Sequence, residues 1–316
     1  MTNKPKILLD CDPGLDDAMA IACASRYGHL VGITTVSGNV GLDLTTANAL
    51  TVCEVFDIDV AVHAGAAHAL DGATPDAAEV HGKTGLDGPV HPPHNRTVDG
   101  HDAVEFIIET IRAHPGLWLV PIGPMTNIAK VLQVAPRALD DVAGISFMGG
   151  ARSVGNASPV AEFNVWGDPE AAAQVLGCGH PTIRMSGLQL TEQFLVDDAF
   201  LARVRSIDTD RARWSFDLLN FLLGAVELLG GNRATAMHDP VAVLSVTHPE
   251  LVVAEPRWVA VELHGTHTRG MTVVDQRDRH QDDRHPDSAV IEVGMTIDGA
   301  AMADLLLECL TPPAPR

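Results

Sequence analysis

The chain predicts an α/β protein with a mostly parallel central sheet flanked by helices. Three observations carry this. Short, continuously apolar, β-branched runs recur along the sequence; segments of helical character separate them; and polar motifs rich in Asp, Asn and Gly follow several of the runs. Strands that are apolar throughout belong to sheets buried on both faces, and intervening helices are the crossovers that parallel pairing requires. Such sheets bind ligands beyond the carboxyl ends of their strands. The 316 residues contain no fixed-period repeat, low-complexity tract or long linker, so residues 1–316 are expected to form one domain.

Residues 6–9 form a short apolar strand that runs into carboxylates. Residues 18–26 are Ala-rich and helical. Residues 30–36 are β-branched and bounded by Ser37-Gly38-Asn39, the pattern of a buried strand. The alternation continues with a helix over 42–56, a strand over 60–64, a helix over 103–114 and a strand over 117–122. A helix over 127–134 and a strand over 142–148, closing on Gly149-Gly150, follow. Residues 199–229 read as mostly helical, 259–263 and 289–293 as strands, and 300–309 as the last helix. The charged stretch 276–287, with His280 and His285, reads as a solvated surface loop.

Composition excludes several classes of function. Acidic residues outnumber basic ones 41 to 21, a formal net charge of −20. Such a surface repels phosphate backbones and anionic lipid, so neither nucleic acid nor membrane is an expected partner. No apolar run reaches the length of a signal-peptide core or a membrane span. The five cysteines are scattered and lack CxxC spacing, which fits reduced thiols in a cytoplasm.

The most informative segment is Asp10-Cys11-Asp12-Pro13-Gly14-Leu15-Asp16-Asp17. Four carboxylates within eight residues repel one another unless a positive charge sits among them. Capping of the following helix accounts for one or two of the four. The rest point to a hard cation held by oxygen ligands, Ca²⁺ or Mg²⁺ rather than zinc. The spacing is not that of an EF-hand: Ile21 stands where that loop needs a bidentate Glu.

This segment resembles the N-terminal motif of the inosine–uridine-preferring nucleoside hydrolase family. Further stretches resemble it in order: Ile33 to Asn39, Val120 to Asn127, Met148-Gly149-Gly150, Gly155-Asn156, Ala161 to Asn164, Asp168 to Ala172, His238-Asp239-Pro240 and Gly270 to Val274. The resemblance implies a Rossmann-like open sheet and a calcium-dependent hydrolysis of ribonucleosides to base and ribose. It implies Asp12 as general base and calcium ligand, with Asp17, Asp239 and the Ile122 carbonyl completing the protein's share of the metal site. Asp16, Asn39, Asn156, Glu162 and Asn164, with Asp239, would hold the ribose, and Asp10 would orient its neighbours. His238 would protonate the departing base, and His81 matches a family histidine near it. It also implies a homo-oligomer, a dimer or tetramer.

Each residue also has an ordinary structural reading. Asn39, Asn156 and Asn164 could be turn formers beside Gly or at strand ends, and a single His is often a satisfied structural residue. Phe163 and Trp166 lie near the sugar motif, where one of them could be core. One departure from the family pattern stands out. Members active on inosine and uridine carry tyrosines before the His-Asp element, whereas here residues 218–236 are rich in Leu, Gly and Ala, and the single tyrosine is Tyr27. Two other functions compete. One is a Mg²⁺ phosphatase of the haloacid dehalogenase type, which also opens on a strand and DxD. The other is a non-catalytic nucleoside or Ca²⁺-binding protein.

Overall fold

The computed structural model describes residues 4–277 and 288–311. Most of the stretch 276–287, including His280 and His285, lies outside the described residues. In chain order, β1 (Lys6–Cys11), α1 (Leu15–Tyr27), β2 (His29–Thr35), α2 (Leu42–Val55) and β3 (Val62–Ala64) come first. The short α3 (Ala78–His81) and α4 (Ala103–Ala113) lead to β4 (Trp118–Pro121), α5 (Thr126–Val134) and β5 (Gly144–Met148). Then come α6 (Phe163–Gly167), α7 (Pro169–Leu176), β6 (Ile183–Ser186), α8 (Leu188–Thr191), β7 (Leu195–Asp197) and α9 (Asp198–Arg205). The chain closes with α10 (Asp210–Leu228), β8 (Ala234–Ala236), α11 (Asp239–Thr247), β9 (Val252–Val261), β10 (Thr272–Val274), β11 (Ala289–Ile297) and α12 (Gly299–Cys309).

The main sheet has nine strands in the order β10-β9-β11-β6-β5-β4-β1-β2-β3. From β3 to β11 every pair is parallel; β9 and β10 extend that edge by antiparallel pairing. β7 and β8 form a separate two-stranded ribbon. Strand order reverses between β1 and β4, and a crevice opens at such a reversal because consecutive crossovers leave in opposite directions.

Two cores form on the two faces of the sheet, and β1 shows why. Ile7, Leu9 and Cys11 pack into one, Leu8 into the other, as the period of two demands. α1 is buried from Leu15 to Ala24, and its alanines let it lie close against α11. The lone tyrosine is a strut here: the Tyr27 hydroxyl donates to the Leu305 carbonyl of α12 at 2.8 Å.

Several boundaries differ from the sequence reading. α1 begins at Leu15, so Asp16 and Asp17 lie inside its first turn rather than ahead of it. β9 starts at Val252, seven residues early, and β6, β10 and the buried α11 carry no assignment from sequence. Among the described residues no helix is long and apolar enough to cross a membrane.

Candidate active site

Loops at the carboxyl ends of β1, β2, β4 and β5 converge at the reversal point. They and the first residues of α11 enclose a cavity of about 210 Å³. Asp16, Asn39, His81, Ile122, Asn156, Glu162, Asn164, His238 and Asp239 all line it. Asp12 and Asp17 are fully buried and join it through Asn39. Eleven positions spread over more than 200 residues of sequence are therefore brought to one place.

Asp12 is held through one carboxylate oxygen and its own backbone. Its Oδ2 accepts the Asn39 backbone N–H at 2.7 Å, and Asn39 Nδ2 donates to the Asp12 carbonyl at 3.1 Å. A Cβ at Gly38 would stand 1.9 Å from Asp12 Oδ2, and one at Gly123 would stand 2.4 Å from Oδ1. Both positions are glycine because the carboxylate fills the space a side chain needs. Asp12 Oδ1 is buried and has no hydrogen-bond partner among the described residues.

Asp17 serves two purposes. Its carboxylate accepts the backbone N–H groups of Gly14 (2.9 Å) and Asp12 (3.2 Å), which caps α1, and also Asn39 Nδ2 at 3.0 Å. It also faces its neighbours: carboxylate oxygens of Asp16, Asp17 and Asp239 lie within 4.8 Å of one another, all buried. Sequence reasoning paired Asp12 with Asp17 and Asp239; the tightest grouping instead holds Asp16. Asp10 accepts from Thr34 Oγ1 (2.6 Å) and Asn127 Nδ2 (2.8 Å), tying β1 to β2 and α5 behind the site.

Electrostatics make this cluster costly without a counter-charge. Burial pushes Asp17 up to about 7 and Asp10 to about 6. Asp12 and Asp239 are driven well above the carboxylate range by burial, then by neighbouring carboxylates. Among the described residues no Lys or Arg lines the cavity. An oxygen-only donor set, an unpartnered buried carboxylate oxygen and the missing counter-charge fit a hard divalent cation.

Several of the residues expected to face the ribose are themselves positioned by backbone. Glu162 is the N-cap of α6 and accepts from Gly150 (2.7 Å), Asn164 (2.8 Å) and Val165 (3.2 Å) N–H groups. Burial nevertheless raises its pKa to about 7. Asn164 Nδ2 donates to the Ile122 carbonyl at 2.8 Å, and Asn156 Oδ1 accepts from Phe163 N–H at 2.9 Å. Thr272 of β10 donates to the Ala151 carbonyl and accepts its N–H, both at 2.7 Å, which fixes the turn after β5.

Two imidazoles close the other side. His81 Nδ1 accepts the Leu15 N–H at 3.1 Å, and His238 Nδ1 lies 2.7 Å from Thr191 Oγ1. Burial pulls both rings below the ordinary histidine range. Phe163 lines the cavity, whereas Trp166 is 43% exposed and does not; neither is core. None of the lining residues comes from 218–236. Sequence reasoning missed Thr191, whose neutral hydroxyl carries no spacing signal, and Asn127 as the brace of Asp10.

Comparison with known proteins points to one family. Residues 7–304 match the model of the inosine–uridine preferring nucleoside hydrolase family. The pyrimidine-specific ribonucleoside hydrolase RihB of Escherichia coli O17:K52:H18 is 37% identical over 310 residues, 97% of each chain. A plant nucleoside hydrolase, the PpNRh1 enzyme, superposes with a TM-score of 0.89 at 29% identity, over 98% of this chain and 100% of that one. The purine-preferring ribonucleoside hydrolase from Gardnerella vaginalis gives 0.86 at 31% identity, covering 96% and 98%. An order-reversed parallel sheet with a buried carboxylate cluster at its switch point, matched over nearly its whole length, leads to one assignment: the chain belongs to the inosine–uridine preferring nucleoside hydrolase family and is a nucleoside hydrolase.

Proposed function

We propose that the chain splits the N-glycosidic bond of ribonucleosides by a Ca²⁺-dependent attack of water, releasing free base and ribose. The observation that carries this reading is the buried Asp16, Asp17 and Asp239 triple beside an unpartnered Asp12 oxygen. Asp12, Asp17, Asp239 and the Ile122 carbonyl would hold the ion, with ribose hydroxyls completing its oxygen shell. When bound, the cation supplies the missing positive charge and makes a nearby water more acidic.

Asp12 Oδ1 is the base that takes the water's proton. Its fixed position matters more than an unusual pKa, because an oriented carboxylate near the attacking oxygen suffices. Asp16, Asn39, Asn156, Glu162 and Asn164 pair the ribose hydroxyls, and each unpaired buried group would cost about 1–3 kcal/mol. That density selects a ribosyl group over a deoxy sugar. As the C1′–N bond breaks, its electron pair moves onto the base nitrogen, and His238 delivers a proton there. His81 contacts the base from the α3 side.

Relatives named for pyrimidine and for purine substrates share this architecture, so a nucleoside panel is the direct test. Ribose release from inosine, adenosine, guanosine, uridine and cytidine is expected for at least one substrate. Tight ribonucleoside binding without ribose release would favour the binding-protein reading. Trapping of an aspartyl-phosphate would favour the phosphatase. The same reading includes assembly as a homo-oligomer, which sedimentation of the purified protein checks.

A further inference from the structure

The two histidines of the cavity are held by different kinds of partner, and the difference fixes where each carries its proton. His81 Nδ1 faces a backbone N–H, that of Leu15, at 3.1 Å. An N–H only donates, so Nδ1 is the bare nitrogen and the His81 proton sits on Nε2. His238 Nδ1 faces the Thr191 hydroxyl at 2.7 Å, and that hydroxyl also lies 3.2 Å from the Leu188 carbonyl. A carbonyl only accepts. Donation from Thr191 to Leu188 leaves the hydroxyl's lone pairs toward His238, which satisfies both contacts only if Nδ1 carries the proton. The reverse assignment sets two oxygens face to face with no proton between them.

We propose that Thr191 is a positioning residue that holds His238 in its Nδ1–H tautomer, so that a bare Nε2 is the atom presented to the base. This rests on the reading of His238 given above. Thr191 is fit for such a role because it cannot move: it is completely buried at the end of α8, and its backbone is bonded on both sides, to Gly187 and Phe194. His238 is half-buried, and its backbone is fixed as the N-cap of α11, its carbonyl accepting the Val241 N–H at 3.2 Å. The two imidazoles then differ at their second nitrogen, His81 with Nε2–H and His238 with a bare Nε2. Of the two, His238 is the one left with a bare Nε2, which can take a proton from solvent water and pass it on. Donation from Nε2 to the base nitrogen returns the ring to the Nδ1–H tautomer, so the Thr191 bond survives the step unchanged.

The test joins spectroscopy to kinetics on the calcium-loaded enzyme. Long-range ¹H–¹⁵N spectra of protein labelled in histidine, with His238→Asn to assign the signal, should show the Nδ1–H pattern in the wild type. Thr191→Val should move it toward the Nε2–H pattern, and Thr191→Ser should keep it. Thr191→Val should lower ribose release from nucleosides by about 10–100-fold, the usual cost of losing an orienting partner. It should change release from 4-nitrophenyl riboside, whose leaving group needs no proton, by less than about twofold; Thr191→Ser should restore nucleoside turnover. An Nε2–H pattern in the wild type overturns the proposal even where the valine variant does not fold, and equal losses on both substrates overturn it as well. Failure of the underlying reading looks different: His238→Ala would itself hit both substrates equally.

Discussion

The pocket has two halves, held in different ways. On the side proposed for the metal and ribose, most of the predicted residues are buried and three are fixed by backbone: Asp12 by Asn39 and two glycines, Asp17 by the first turn of α1, Glu162 by three N–H groups. On the side proposed for the base, the lining is Ala77, Val80, Ala157 and Phe163 with two histidines, and the stretch 218–236 contributes none of it. Groups with many backbone partners cannot shift without losing several hydrogen bonds at once. Apolar groups without directional bonds can be exchanged at small cost. Under the proposed function, the reaction is tied to the first half and substrate preference is free to vary in the second.

Removing the ion separates the halves most sharply. Dialysis against a chelator should take ribose release to background on every nucleoside, and Ca²⁺ alone should restore it. Turnover that persists in excess chelator would place the carboxylate cluster outside the chemistry. Asp12→Asn comes next, with a loss of about 10²–10⁴ from the base alone. The loss should be equal on nucleosides and on 4-nitrophenyl riboside, while circular dichroism stays native. More than a tenth of wild-type activity would exclude Asp12 as base.

His238→Ala should show the contrast within one protein. Nucleoside hydrolysis falls by up to about 10²–10⁴, whereas 4-nitrophenyl riboside is largely spared. Gly38→Ala is subtler, since it adds one methyl and removes nothing. The new Cβ would meet Asp12 Oδ2 at 1.9 Å and displace the carboxylate, costing about 10²-fold in kcat. Gly41→Ala, with nothing within 4 Å of the added carbon, is the control that keeps its turnover. Smallest of all, Phe163→Ala should raise KM about fivefold, about 1 kcal/mol of half-buried apolar contact, and change the purine-to-pyrimidine ratio. An unchanged ratio would move base selection away from this wall.

The sequence was most readable where one physical signal dominates. β1, β2, β4 and β5 are continuous apolar runs because both faces of the sheet are covered, and their observed bounds agree with the sequence pattern within two residues at each end. β9 was half hidden because Pro256 and charged residues interrupt it. Pro256 is tolerated there because β10 pairs only with Val259–Val261, leaving that stretch of β9 an edge. α11 is apolar and β-branched nearly throughout, so its periodicity was silent; it is a helix buried on all sides. In the site, the four N-terminal carboxylates were legible from crowding, whereas Asp239 and Glu162 came only through the family resemblance. The role of Thr191 was not, since a hydroxyl acquires meaning only from the ring, 47 residues away, that it touches.

The Thr272–Ala151 pair has a consequence for assembly order. It joins residues 121 positions apart, and the turn it holds also receives the Glu162 carboxylate through Gly150. Every proposed metal ligand, by contrast, precedes Pro240. During synthesis from the N-terminus, the nascent chain holds the full carboxylate set before β10 emerges to brace this turn. Contacts this distant in sequence close late and slowly. The carboxylate cluster is itself closed across a longer separation, from Asp17 to Asp239, so both parts of the site wait on distant contacts, and the turn that meets Glu162 depends in addition on a strand that follows Pro240.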